Sequence, residues 1–384
     1  MRAWSSSSSD SREMPTVSVV IPTRDRRPAL ERTLAALRRE YELTEVIVVN
    51  DASLDDTASW LAAEAARWPA LKLVATAGVG SNHARAEGVA HATGEVVLLI
   101  DDDVLPAPGL VSGHARHHRD STGIVVSGYY PVALGTRPPA TTRLAARWYE
   151  DELNAVDTDP TLGFNQLWGG QFSIRRSDLA RTLLSVPEFE GPWRHADRDF
   201  GLRCQEAGLR HVFDRELRSE HCFARTLSQF RTDAHRSGYG AVLVNRLHAD
   251  LLGPVPQALL QSRRRVLAPF LRMTDLRAVH WTTAAALTVL VRFGDATRIQ
   301  PLADVAVRLL VLIERRRGAR TCLAEIESAT RHPKFGRSLN HASAASPAPS
   351  ASPSSVAAHE PHRSAIHDGR ASGSQRIFEH GEPR

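Results

Sequence analysis

Three consecutive aspartates, Asp101, Asp102 and Asp103, follow the apolar run VVLLI at 96–100 without a break, and the chain turns apolar again at Val104. Like charges this close repel, and a buried carboxylate without a partner is costly, so the triplet asks for something positive beside it. Asp51 stands in the same relation to an earlier apolar run, EVIVV at 45–49. If both runs are strands of one parallel sheet, both acids lie just beyond its carboxyl ends, where open α/β sheets bind ligands. Such a rim suits a ligand that combines hydroxyl donors with a metal-bound anion, because carboxylates accept from ribose hydroxyls and hold Mg2+ or Mn2+ through one or two oxygens. Taken alone, the triplet also fits a solvated turn, and Asp51 an Asx turn.

The elements that must position these acids are legible in the periodicity. VSVVI at 17–21, EVIVV at 45–49, LKLVA at 71–75 and EVVLLI at 95–100 are short β-branched runs of the kind buried on both faces in a parallel sheet. Between them, Leu30, Leu34 and Leu37 repeat at helical spacing behind Pro28, and Leu61, Ala65 and Trp68 do the same behind Asp55 and Asp56. Ser81 is placed to open a third helix and Gly94 to close it. This alternation predicts an α/β fold, a mostly parallel, Rossmann-like sheet with right-handed crossovers. Further on, GIVVSGYY, GGQFSIRR and HVFDREL read as strands, RDFGLRCQEAG and LSQFRTDAHRSG as helices, and residues 254–335 as mostly helical.

Over residues 16 to about 245 the sequence resembles a family 2 glycosyltransferase of the GT-A fold, the group that uses nucleotide-sugar donors. VSVVIPTRDR is similar to the family's first strand and nucleotide loop, which assigns Pro22, Thr23 and Arg24 to the donor. VIVVNDASLDDT resembles its second strand, with Asp51 on the base, and GVGSNHARAEGVAHATGEVVLLIDDD resembles the run into its DXD motif, bringing Arg85 with it. The resemblance implies that Asp101 faces the ribose, that Asp103 faces the metal, and that Asp102 lies between them. WGGQFSIRRSDL is similar to the Gly-Gly segment beside the donor sugar, Gly169 and Gly170, with Gln171 where asparagine is common. HADRDFGLRCQEAGLR resembles the helix opening that carries the catalytic base. Asp197 matches that base, Asp199 its acidic follower, and Ala196 stands where a further acid is usual. His221, in SEHCF, matches a histidine that approaches the metal and diphosphate. The implied reaction is metal-assisted transfer of a hexosyl group to an acceptor hydroxyl with inversion, Asp197 acting as general base.

Two other functions fit parts of the pattern. One is a nucleotide-binding protein on the same fold without turnover. The other is a haloacid-dehalogenase-like phosphatase, since LLIDDDV also matches a strand followed by a nucleophilic aspartate. Against the phosphatase, three strands precede the motif, and the chain has only two lysines, Lys72 and Lys334, neither suitably placed.

The chain as a whole sets bounds. Its 384 residues are 42% hydrophobic and 24% charged, with a net charge of +5, ample for a large core and only mildly basic. Cys204, Cys222 and Cys322 show neither a disulfide framework nor zinc spacing. The organisation expected is a disordered lead over 1–14, a GT-A domain over 15–250, a helical region over 251–335 and a disordered Ser, Ala, Pro and His tail over 336–384. No segment has the length of a membrane span, so a single-addition enzyme of the cytoplasm is expected, and AVHWTTAAALTVLV reads as a packed or interfacial helix. The expected partners are a nucleotide-sugar donor and a saccharide, lipid-linked or small-molecule acceptor, not nucleic acid. The arginine triplets at 263–265 and 315–317 read as solvated faces, with anionic lipid at the inner face of the membrane as the second reading. His114, His117 and His118 also read as a solvated helix face.

Overall fold

A computed structural model describes residues 13–40, 42–182, 184, 186, 194–223, 225–253, 255 and 267–331. The tail expected from 336 onward, most of the lead and the first arginine triplet lie outside the described residues.

The first four strands are those the sequence predicts: β1 (Val17–Thr23), β2 (Leu43–Asp51), β3 (Leu71–Thr76) and β4 (Val96–Ile100). They run parallel in the spatial order β3-β2-β1-β4. Every residue of β1 and β4 is buried, because helices cover both faces of this half-sheet. Helix α1 (Arg27–Leu37) buries Leu30, Leu34 and Leu37 with proline in its first turn, as their spacing requires. Helices α2 (Thr57–Ala65) and α3 (Ser81–Ala90) complete the crossovers. Gly94 does not close α3, which ends at Ala90. It lies instead against β1, where a Cβ would come within 2.7 Å of the Ser18 amide nitrogen.

Beyond β4 the sheet changes character. The chain continues through β5 (Val104–Pro106), α4 (Leu110–Asp120), β6 (Ile124–Tyr129), α5 (Ala140–Thr158), β7 (Gln171–Arg175), α6 (Arg176–Leu179), α7 (Ala196–Glu206) and β8 (Arg210–His221). Strand β7 pairs antiparallel with both β4 and β6, β6 runs parallel to β8, and β8 pairs antiparallel with β5. The sheet, ordered β3-β2-β1-β4-β7-β6-β8-β5, is therefore mixed, with its first half parallel. Because β7 enters opposite Ile100, the segment before it is delivered to the rim where the aspartate triplet begins.

Helix α8 (Leu227–Leu247) opens with a capping box between Thr226 and Gln229, and α9 (Ala249–Leu252), α10 (Leu267–Met273), α11 (Arg277–Thr297) and α12 (Gln300–Arg331) follow. Helices α8 and α12 cross at two glycines. A Cβ on Gly238 would meet the Arg315 carbonyl oxygen at 1.8 Å, and one on Gly318 the His235 carbonyl oxygen at 1.9 Å, so the close backbone approach depends on glycine at both places.

Two sequence expectations are corrected here. His114 and His118 are fully buried, with Nδ1 and Nε2 respectively 2.7 and 2.9 Å from the Ser173 hydroxyl on β7, and His117 Nε2 lies 2.7 Å from Asp214. Their i, i+4 face packs on the sheet rather than on solvent, and burial, with Arg175 adding to it, pushes His118 down to about 4. The triplet at 315–317 is not a solvated face either: Arg316 is buried and donates two hydrogen bonds to Asp275, at 3.0 and 2.8 Å. The three cysteines are free.

Glu45 on β2 is a buried acid with a linkage signature. Burial works against its charge, but Lys72, the Ser18 hydroxyl at 2.6 Å and the Thr93 amide at 2.7 Å outweigh it and bring its carboxyl down to about 2. A carboxyl lowered on folding contributes stability above its unfolded pKa, about 4.5. That contribution is lost as pH falls toward 2. Thermal denaturation across that range should therefore show a smaller acid-induced loss of midpoint in Glu45→Gln than in the wild type.

Candidate active site

The three aspartates have three different environments. Asp101, at the tip of β4, accepts from an Arg85 guanidinium nitrogen, and its amide donates to the Gly170 carbonyl at 3.0 Å. Asp102 is buried and accepts from the Thr23 hydroxyl at 2.8 Å and from Arg26 Nη1 at 2.7 Å. Asp103, also buried, accepts from the other terminal nitrogen of Arg26 and faces His221 Nε2 at 3.6 Å. The pairing of Val104 with His221 between β5 and β8 brings that imidazole to the triplet. The Thr33 hydroxyl, from α1, donates to the carbonyls of Asp102 and Val104 at 3.0 and 3.1 Å and pins the turn.

These environments separate the carboxyls chemically. Burial pushes Asp102 up to about 7, with the charge of Asp103 adding to it and Arg26 and Thr23 opposing it. For Asp103 burial acts in the same direction, yet the hydrogen bond and charge of His221 together with Arg26 overcome it and hold the carboxyl well below the usual range. Two adjacent acids thus differ in their readiness to carry charge at neutral pH.

Asp51 closes a loop. Its Oδ1 accepts from the Thr76 hydroxyl at 2.6 Å and the Val79 amide at 2.7 Å, and its Oδ2 from the Gly80 amide at 2.8 Å. Burial resists ionisation, but these donors keep its carboxyl below the ordinary value. Pro22 is buried at the end of β1 and Arg24 is exposed, its Nε 3.8 Å from Asp25.

Asp197 reaches the rim from the opposite side of the chain's course. It lies in the first turn of α7, after His195, which holds φ 76° and ψ 18° and has Nε2 2.9 Å from the Ser237 hydroxyl. A non-glycine residue in this left-handed region is uncommon and points to a local constraint. One Asp197 oxygen accepts from the Gly169 amide at 2.9 Å and the other from the Arg198 amide at 2.9 Å. The dipeptide Gly169-Gly170 therefore bridges Asp197 to Asp101, the Gly169 amide reaching one acid and the Gly170 carbonyl the other. The Gly170 amide in turn donates to the Tyr130 hydroxyl at 3.0 Å, and the Tyr149 hydroxyl accepts from the Tyr130 amide at 2.8 Å.

The structure thus brings Thr23, Arg85, Asp101, Asp102, Asp103, Gly169, Gly170, Asp197 and His221 into one connected set. Asp199 stands apart from it. That side chain is buried in bonds from Arg203 at 3.0 and 2.8 Å and faces His248 Nε2 at 2.9 Å, so it fixes α7 against the end of α8. Gln171 likewise donates inward, to the Leu217 carbonyl at 2.9 Å. Two residues bonded to this set, Arg26 and Tyr130, are not singled out by the sequence. The need for a cation beside the triplet was legible there, but which arginine meets it depends on where α1 begins.

Asp103 and His221 offer an anionic oxygen and an imidazole nitrogen, a donor pair suited to Mn2+ or Mg2+ completed by phosphate and water. Among the described residues no group of three or more His, Cys, Asp or Glu is gathered to hold an ion by itself.

Comparison with known proteins agrees with this arrangement. Over 81% of this chain and 88% of the other, the fold matches that of a mannosyltransferase from Pyrobaculum calidifontis, with a TM-score of 0.51 and 21% identity, so the expected GT-A architecture is the one present. Residues 18–181 match the model of glycosyl transferase family 2. It is 30% identical over 234 residues to validoxylamine A glucosyltransferase from Streptomyces hygroscopicus subsp. jinggangensis (strain 5008), which is 53% of this chain and 54% of that protein. It is also 30% identical over 115 residues to the uncharacterized glycosyltransferase YfnE of Bacillus subtilis (strain 168), 29% of each chain. The chain thus spans at most about half the length of these curated relatives. The family match over residues 18–181 favours a glycosyltransferase over the phosphatase reading.

The Tyr130 bond to Gly170 supports the bridge between the acids. Tyr130→Phe leaves a buried amide without its acceptor and should lower stability by about 1–3 kcal/mol, read from urea denaturation.

Proposed function

We propose that the protein transfers a sugar from a nucleoside diphosphate sugar to an acceptor hydroxyl with inversion, Asp197 acting as general base. The observation that carries this reading is the Gly169-Gly170 bridge, which sets Asp197 on the same rim as Asp101 through contacts of 2.9 and 3.0 Å. Asp51 and Asp101 are the acceptors for the nucleoside's donors, with Pro22, Thr23 and Arg24 forming the edge of its pocket. Arg85 holds Asp101 in place.

Asp103, with His221, would hold a divalent ion, whose chemistry is to neutralise the charge that develops on the departing diphosphate. Asp103 is suited to this by being held ionised. Asp102 plays a different part, because its bonds to Thr23 and Arg26 tie the nucleotide loop to the strand tip. Each Asp197 oxygen gives one lone pair to a backbone amide and keeps another for the acceptor proton. One carboxylate base and one displacement give inversion at the anomeric carbon. The names of the relatives suggest a first screen that includes nucleoside diphosphate glucoses and GDP-mannose, and a small-molecule acceptor is the first class to try. The cytoplasm is the proposed location, and among the described residues no helix is long and apolar enough to cross a membrane.

The test pairs donor binding with turnover. Thermal shift with Mn2+ should reveal a stabilising donor, since a ligand that binds only the folded state raises its midpoint. Asp103→Asn should abolish the Mn2+-dependent part of that shift. Asp197→Asn should keep donor binding while transfer falls at least about 100-fold. Normal transfer by Asp197→Asn would remove it as the base, and donor binding without hydrolysis or transfer by the wild type would favour a non-catalytic nucleotide-binding role.

A further inference from the structure

Helix α11 is apolar on two sides. Its inner row, Ala284, Leu287 and Val291 with His280 and Gly294, is buried at helical spacing in the cluster formed with α12. Its outer row, Trp281, Ala285, Val289 and Phe293, faces outward among the described residues: Trp281, Val289 and Phe293 are 51%, 64% and 52% exposed. Met273 and Leu276 before the helix and Ile299 after it extend this apolar strip. An apolar row on a second side of a helix calls for cover by protein or lipid, because water on it forfeits the burial that the inner row has gained.

The border of the strip is cationic. Arg272, Arg277, Arg292 and Arg298 are exposed, and among the described residues none has a carboxylate at ion-pair distance. The nearby acids are committed elsewhere. Asp275 is held by Arg316 at 2.8 Å and by Arg320, and Asp295 accepts from the Ala140 amide at 3.0 Å and lies 3.5 Å from Arg143. Arg317 stacks over Trp281, 5.3 Å from the ring centroid, which adds charge beside the aromatic. A second copy of the chain is a poor occupant, since a two-fold contact would oppose like-charged borders.

We propose that the outer face of α11, with Met273, Leu276 and Ile299, is a docking surface for an anionic lipid bilayer, on which the helix lies in the headgroup plane. Apolar side chains enter the acyl boundary while the surrounding arginines meet lipid phosphates, and an indole suits that interface. The surface is distinct from the rim that carries Asp197 and holds whether or not the transfer reaction above is the right one.

The experiment is co-sedimentation of the full chain with phosphatidylcholine vesicles, with and without phosphatidylglycerol. Binding should require the anionic lipid and weaken as salt rises. V289D/F293D should lower the bound fraction at least about ten-fold, since it puts charge into the acyl boundary. Arg292→Glu and Arg298→Glu should each lower partitioning about five-fold or more. Circular dichroism verifies that these exposed substitutions leave the fold intact. Absence of binding, equal binding to neutral vesicles, or an unaltered V289D/F293D overturns the proposal. So does light scattering that finds a dimer which V289D/F293D splits, for then the face joins two copies. The Mn2+ and donor thermal shift, run on the same samples, separates this outcome from failure of the transfer reading.

Discussion

The mutual repulsion of Asp101, Asp102 and Asp103 is the constraint on which the rest of the site depends. Three carboxylates in sequence at a buried strand tip stay together only if each is given its own donors, and the fold supplies them from three directions. Arg85 comes from α3, Thr23 and Arg26 from the end of β1 and the start of α1, and His221 from the last residue of β8. The result is a graded set: Asp103 is held ionised, while burial keeps Asp102 far less acidic.

The antiparallel half of the sheet makes the second contribution. Strand β7, running opposite to β4, presents its leading residues at the rim where β4 ends, so Gly169 and Gly170 meet Asp101 and Asp197 at once. A further parallel strand would have placed its leading residues at the far edge of the sheet. The reversal is thus what joins an acid at position 101 to one at position 197.

The helices after β8 bear on the site indirectly. Gly238 and Gly318 let α12 approach α8 at backbone distance, and α8 anchors His195 through Ser237 just before Asp197. The same helices leave one apolar row of α11 facing outward. Support for Asp197 and an apolar surface outside the rim therefore come from one packing arrangement.

Much of this was legible in the sequence because it rests on local rules. The alternation of β-branched runs with Leu30-Leu34-Leu37 and its counterparts dictates crossovers, and crossovers dictate parallel strands with acids beyond their ends. The order of the motifs around Asp51, the triplet and Asp197 pointed to the family. What the sequence left open depends on contacts between distant residues. The reversal of β7, the choice of Arg26 as counter-ion, and the burial of His114, His118 and Arg316 follow from which helix face meets which strand. A pattern of single residues carries no information on that matching. Local periodicity determined the elements and the acids they carry, and tertiary packing alone decided that Asp103 ionises more readily than Asp102 and which cation stands beside each, since a carboxyl's ionisation depends on the donors and the burial around it.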